Sequence, residues 1–197
     1  MPPSDPLPAA APDRLFGERT LCVPHEFTHA LHHVMQIEKA GAWPRVLLRS
    51  GTAHGRRVAE ALDREFARLG QPALGEQDLE GCVALIERHC AAHGWGLLKI
   101  DLGDAATYGL VVARLECSYF VEVLPASEHF TDAFIAGVLQ GFFEHVSGQQ
   151  LAGVEIACAR RGAPHCTFVV GAPEQLAPIA ALIGRETADA ILAKLRS

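Results

Sequence analysis

The hydrophobic period of this chain changes near residue 96, and that change constrains its fold more than any other feature. Before it, apolar residues recur at helical spacing. Phe27, Leu31, Val34 and Met35 mark one side of a helix that begins after Pro24, with His25, His29, His32 and His33 facing the other way. The stretch "WPRVLLRSGTAHG" reads as a short apolar segment running into a turn. A helix through "RRVAEALDREFARLG" follows, with Val58, Leu62, Phe66 and Leu69 inward and Gly70 as its stop. Leu79, Cys82, Val83, Ile86 and Cys90 form a third stripe behind Asp78, a fitting N-cap.

After residue 96 the period shortens to two. "GLLKIDLGD" and "YGLVVARLECSYFVEVL" read as strands joined at "GDAAT". Val111, Ala113, Leu115, Cys117, Tyr119, Val121 and Val123 alternate with mostly polar neighbours, so one sheet face is expected in the core and the other wet or against a partner. "TDAFIAGVLQGFFEHVSG" predicts a strongly apolar helix with Thr131 as N-cap and Gly148 as stop. "QLAGVEIACARRGAPHCTFVVG" predicts a strand pair turning at "RRGAP", and one or two closing helices follow. The pattern is that of an α+β domain, an antiparallel sheet packed against helices, spanning residues 21–197 behind a flexible Pro/Ala-rich tail at 1–20.

Composition narrows the function classes. A net charge of −6 and a pI near 5.9 give no general attraction to nucleic acid or anionic lipid. No apolar run approaches the roughly 18 residues of a membrane span. The N-terminus lacks a secretory leader, so the expected location is the cytoplasm and the thiols are expected reduced. Cys22, Cys82, Cys90 and Cys117 have apolar neighbours and are expected in the core.

Two motifs compete as metal sites. "HEFTH" places His25 and His29 one helical turn apart with Glu26 beside them, the spacing by which a zincin hydrolase holds zinc and a general base. Its third ligand is missing: no metzincin extension follows, and Glu60 is the one loose candidate. The four histidines also fit a solvent-facing band. The second set is Glu155, Cys158 and Cys166 in "GVEIACARRGAPHCTFVVG", where a hairpin turn would return Cys166 toward Cys158, with Glu155 as a third donor. One cysteine packed in the core and one incidental is the plain alternative.

The residues Glu155, Cys158, Gly162, Pro164, Cys166 and Phe168, in the order E-x2-C-x3-G-x-P-x-C-x-F, follow a helix carrying Gly137 and Gly141. This ending resembles the 4-vinyl reductase domain, named for a bacteriochlorophyll-biosynthesis protein and also the sensory module of activators of aromatic catabolism. Weaker likeness extends over roughly residues 45–172. The resemblance implies the fold of Golgi-transport tethering subunits, a homodimer, and a buried pocket for a hydrophobic or aromatic molecule. It implies zinc on Glu155, Cys158, Cys166 and a fourth residue at the start of the preceding helix. That position is Asp132 here, where relatives carry cysteine, which makes the site harder and more tolerant of iron. Asp132 also suits the first turn of a helix, and His129 and His165 stand in reserve as ligands.

The expected function is therefore a metal-containing sensor or carrier for a hydrophobic or aromatic small molecule, acting through a protein partner. Pocket candidates are His93, Trp95, Tyr108 and Phe134. An enzyme or accessory protein of tetrapyrrole biosynthesis is the alternative. It would need borrowed electrons, because no G-x-G-x-x-G turn, P-loop or G-x-S-x-G elbow is present.

Overall fold

The computed structural model describes residues 14–15, 18–19, 23–39, 41–124 and 131–197. The expected flexible tail, Cys22 and His129 lie outside them or at their margin, and the described backbone there is a short antiparallel pairing of Arg14–Leu15 with Glu18–Arg19. Six helices of five residues or more follow in the described chain: α1 (His25–Glu38), α2 (Trp43–Arg68), α3 (Leu79–Ala92), α4 (Tyr119–Val123), α5 (Ala133–Ser147) and α6 (Ala188–Leu195). The strands are β1 (Leu97–Asp101), β2 (Val111–Glu116), β3 (Ala152–Ala157) and β4 (Cys166–Gly171), all antiparallel in the order β1-β2-β4-β3.

The α+β expectation holds. Asp78 caps α3 by accepting from the Gly81 amide, and Gly148 ends α5 in the left-handed conformation at φ 65°. The segment 43–55, expected to be an apolar stretch and a turn, is instead the first half of α2. Its glycines serve close approach rather than chain reversal. A Cβ on Gly51 or Gly55 would fall 2.0 or 2.1 Å from the Phe134 or Val138 carbonyl oxygen of α5. Gly137 and Gly141 meet Leu48 and Thr52 of α2 in the same way. Four glycines thus let the two backbones touch, which compensates for the entropy that glycine costs a helix.

The long alternating strand also breaks earlier than expected. Cys117 takes φ 52°, turning the chain out of β2 into α4, so Cys117 is exposed rather than in the core. The inner face of the sheet packs Leu98, Leu115, Phe168 and Val170 against the helices. The outer face is not left wet: Val112, Ile156 and Val169 are covered by Leu176, Ile179, Ile191 and Leu192 of the chain's own closing segments. Helix α1 forms where its stripe predicts, yet it is turned around. Phe27 is 57% and Ile37 69% exposed, while Thr28 bonds the Tyr119 hydroxyl at 2.8 Å and His25 and His32 set their ring edges against Tyr119 and Trp43. Specific polar and aromatic contacts, not the apolar stripe, hold this helix to the body.

Candidate functional site

A β-bulge builds the metal-competent cluster. In a regular strand, residues three apart point to opposite faces. Here Glu155 pairs with Phe168 and Ala157 with Thr167, so Ile156 is an extra residue. It turns outward into the outer-face cluster, and Glu155 and Cys158 both end up facing inward. The 159–165 turn, reversing at Gly162 with φ 91°, then sets Cys166 Sγ 4.0 Å from Cys158 Sγ. One ligand atom from each of Glu155, Cys158 and Cys166 lies within 4.8 Å of the others, the one such group among the described residues.

Asp132 joins the cluster at the start of α5. It occupies the N-cap position but makes no side-chain cap. Its amide donates to Glu155 Oε2 at 2.9 Å, and its Oδ1 accepts from Ser118 Oγ at 2.7 Å. Thr131, expected to cap the helix, instead contacts Cys158 Sγ through its hydroxyl at 3.2 Å. Asp132 is fully buried and Glu155 is 5% exposed. Burial pushes the Asp132 carboxyl up to about 6 and the Glu155 carboxyl well above its ordinary range, the latter also through the Asp132 charge. The thiol of Cys166, donating to Cys158, pulls the latter down to about 4 and is itself pushed up.

Four acids packed without a base cannot all ionise unless a cation joins them. Asp132 Oδ2 and Glu155 Oε1 are buried with no hydrogen-bond partner, which leaves one lone-pair-bearing oxygen on each carboxylate free for such a cation. Two thiols and two carboxylates are a donor set that suits zinc and tolerates iron. The residues therefore fit a bound divalent metal.

Beside this acidic cluster lies a basic and aromatic one. His54 of α2 and His89 of α3 place their Nε2 atoms 3.2 Å apart, so one proton lies between them. His93 stacks on His89 at 4.0 Å between ring centroids, and its Nδ1 donates to the His89 carbonyl at 2.9 Å. Trp95 packs its ring 5.2 Å from His54 and 5.1 Å from Phe134, and Phe120 closes on Phe134 at 5.5 Å. Burial, and the neighbouring His93 and His54, hold His89 down to about 3, so it is neutral. The two clusters share their supports: Ser118 bonds Asp132 while Phe120 lies two residues on, and Phe134 lies two residues after Asp132.

The family model of the 4-vinyl reductase domain matches residues 111–172, the stretch that contains the bulge, both cysteines and Asp132. The chain carries a domain of the 4-vinyl reductase family. Among solved structures it is similar to the phenol-responsive sensory domain of the transcription activator PoxR with phenol, at 17% identity and TM-score 0.66, over 92% of this chain and 85% of that one. It is also similar to a vinyl-4-reductase family protein from Methanocaldococcus jannaschii, at 17% identity and TM-score 0.52, over 77% and 82%. A trafficking protein particle complex subunit 3 from Naegleria fowleri covalently bound to palmitic acid shares the fold at 12% identity and TM-score 0.55, over 74% and 90%. No curated protein matches in sequence.

Within this 4-vinyl reductase domain the remaining sequence candidates separate. His93, Trp95 and Phe134 come together, whereas Tyr108 sits apart, exposed on the one-turn helix Ala105–Tyr108, its carbonyl bonded by Gln175. His165 is half-buried on the outer side of the hairpin. His25, Glu26 and His29 are exposed on α1, and no third donor joins them among the described residues. Sequence reasoning missed His54, His89 and Ser118. His89 carried a legible signal: it falls three residues after Ile86 and seven after Cys82, on the apolar stripe of α3. No described helix is long and apolar enough to cross a membrane.

Proposed function

We propose that this 4-vinyl reductase domain is a sensor or carrier for a small aromatic molecule, which it binds among His54, His89, His93, Trp95 and Phe134. The observation that carries this reading is the adjacency of a neutral imidazole pair, able to donate and accept, to three aromatic faces in a half-buried site. Imidazole offers a hydrogen bond to a ligand hydroxyl, and Trp95 and Phe134 offer stacking. The rings touch one another, so a ligand enters by displacing Trp95 or Phe134. Occupancy thereby shifts the first turn of α5, a change that a second copy of the chain or a partner protein can read. The phenol-responsive domain of PoxR, which shares this fold, favours the same ligand class.

In the same proposal Asp132, Glu155, Cys158 and Cys166 hold a metal ion, zinc or iron. The ion would neutralise the buried acids and tie the β3–β4 hairpin to the start of α5. Its role is structural: it would fix the 118–120 and 132–134 segments that wall the aromatic site.

The test is a titration of metal-loaded protein with phenol, followed by tryptophan fluorescence in a Trp43→Phe background so that Trp95 reports. Saturable quenching, weakened at least tenfold by His93→Ala and Phe134→Ala, is expected. Binding unchanged by both substitutions, or no binding of phenol, catechol or toluene, would overturn the assignment.

A further inference from the structure

The outer face of the sheet carries a second cleft, of about 610 Å³, on the opposite side from the aromatic cluster. Arg114, Thr167 and Ala157 sit side by side across β2, β4 and β3 on that face. The closing segments cover Val112 and Val169 in the next row but leave this row open. The hairpin turn forms one wall of the opening and residues 184–192 the other. Its volume lies within the range of small-molecule sites.

The charge in this cleft is distinctive. Arg114, Arg161 and Arg185 enter it with His165, against Glu186 and Asp189. Among the described residues no carboxylate lies within ion-pair distance of Arg114 or Arg185. The start of α6, capped by Thr187, adds the positive end of a helix dipole. Arg161 is held in place by shape. Gly184 has φ 78°, and a Cβ there would lie 3.1 Å from Arg161 Nη1, so a glycine is what lets the guanidinium lie along this wall. Ile156 and Leu192 supply an apolar floor.

Guanidinium groups fork onto planar or tetrahedral oxyanions with paired hydrogen bonds. We infer that this cleft binds a small organic anion, a carboxylate or phosphate ester on an apolar body, with Arg114, Arg161 and Arg185 as its clamp. The site is separate from the aromatic one and uses none of its side chains, so either assignment can fail alone.

Isothermal titration of metal-loaded protein with benzoate and with phenyl phosphate tests the inference. One-to-one binding of at least one of the two is expected, and which one binds tells carboxylate from phosphate ester. The Arg114→Ala/Arg185→Ala double variant, altered at two exposed side chains, should weaken it at least tenfold and flatten its salt dependence. Trp95→Ala should leave it unchanged. A melting temperature matching the wild type would show that the double variant is folded. The inference is overturned if neither anion binds, if the folded double variant binds as tightly as the wild type, or if Trp95→Ala abolishes binding.

Discussion

The two buried polar clusters differ in what they need from outside the chain. The histidine cluster is all base, and it is stable by itself: with His89 held neutral, its nitrogens bond one another and a carbonyl. The cluster around Glu155 is all acid, and no arrangement of its own protons satisfies every atom, since Asp132 Oδ2 and Glu155 Oε1 remain without partners. One cluster is thus complete as folded and open to a neutral ligand, while the other calls for a cation. Because both stand on the segments around Ser118 and Asp132, a change in the second should be felt in the first.

The severest way to break the comparison is to remove the scaffold of both. Gly137→Val would drive a side chain into the Leu48 carbonyl, 2.1 Å from the new Cβ. It should cost more than about 3 kcal/mol and abolish both clusters together, as read by urea unfolding. Next in size is Cys158→Ser, which should release the metal and lower the melting temperature while leaving α2 and α5 folded by far-ultraviolet circular dichroism. Sharper still is acid titration of stability.

His89 is lowered from 6.5 to about 3, so its stability is fully present above pH 6.5 and is lost as pH falls toward 3, by at most about 1.4 kcal/mol per pH unit. Asp132, raised from 3.8 to about 6 in the metal-free protein, works the other way: its stability is present below pH 3.8 and lost as pH rises through 6. Chelated protein should therefore show a flatter loss of stability between pH 6 and 4 than loaded protein. His89→Gln should flatten the loaded curve. The smallest effect is expected from Tyr108→Ala, which should leave aromatic binding and metal content unchanged, because that side chain is outside both clusters.

Much of this was legible in the residue string, and the parts that were not share a cause. The E-x2-C spacing with its glycine-proline turn pointed to the cluster, but not to the bulge at Ile156 that makes the spacing work, since one extra strand residue leaves no mark in composition. Gly51 and Gly55 read as a turn because a glycine that admits a neighbouring helix looks, in sequence, like one that reverses the chain. The break at Cys117 was hidden by an alternation that runs on through α4. The stripe of α1 predicted a helix and its apolar side correctly, yet amphipathicity does not say which side meets the body. Local pattern reported elements; close approach and register came only from the packed chain.

The most direct test of the central claim is metal analysis of the full chain by inductively coupled plasma mass spectrometry, in wild type, Cys158→Ser and His29→Ala. One equivalent of zinc or iron per chain is predicted in wild type and His29→Ala, and none in Cys158→Ser. Metal that survives Cys158→Ser but disappears with His29→Ala would contradict the claim and move the site to α1.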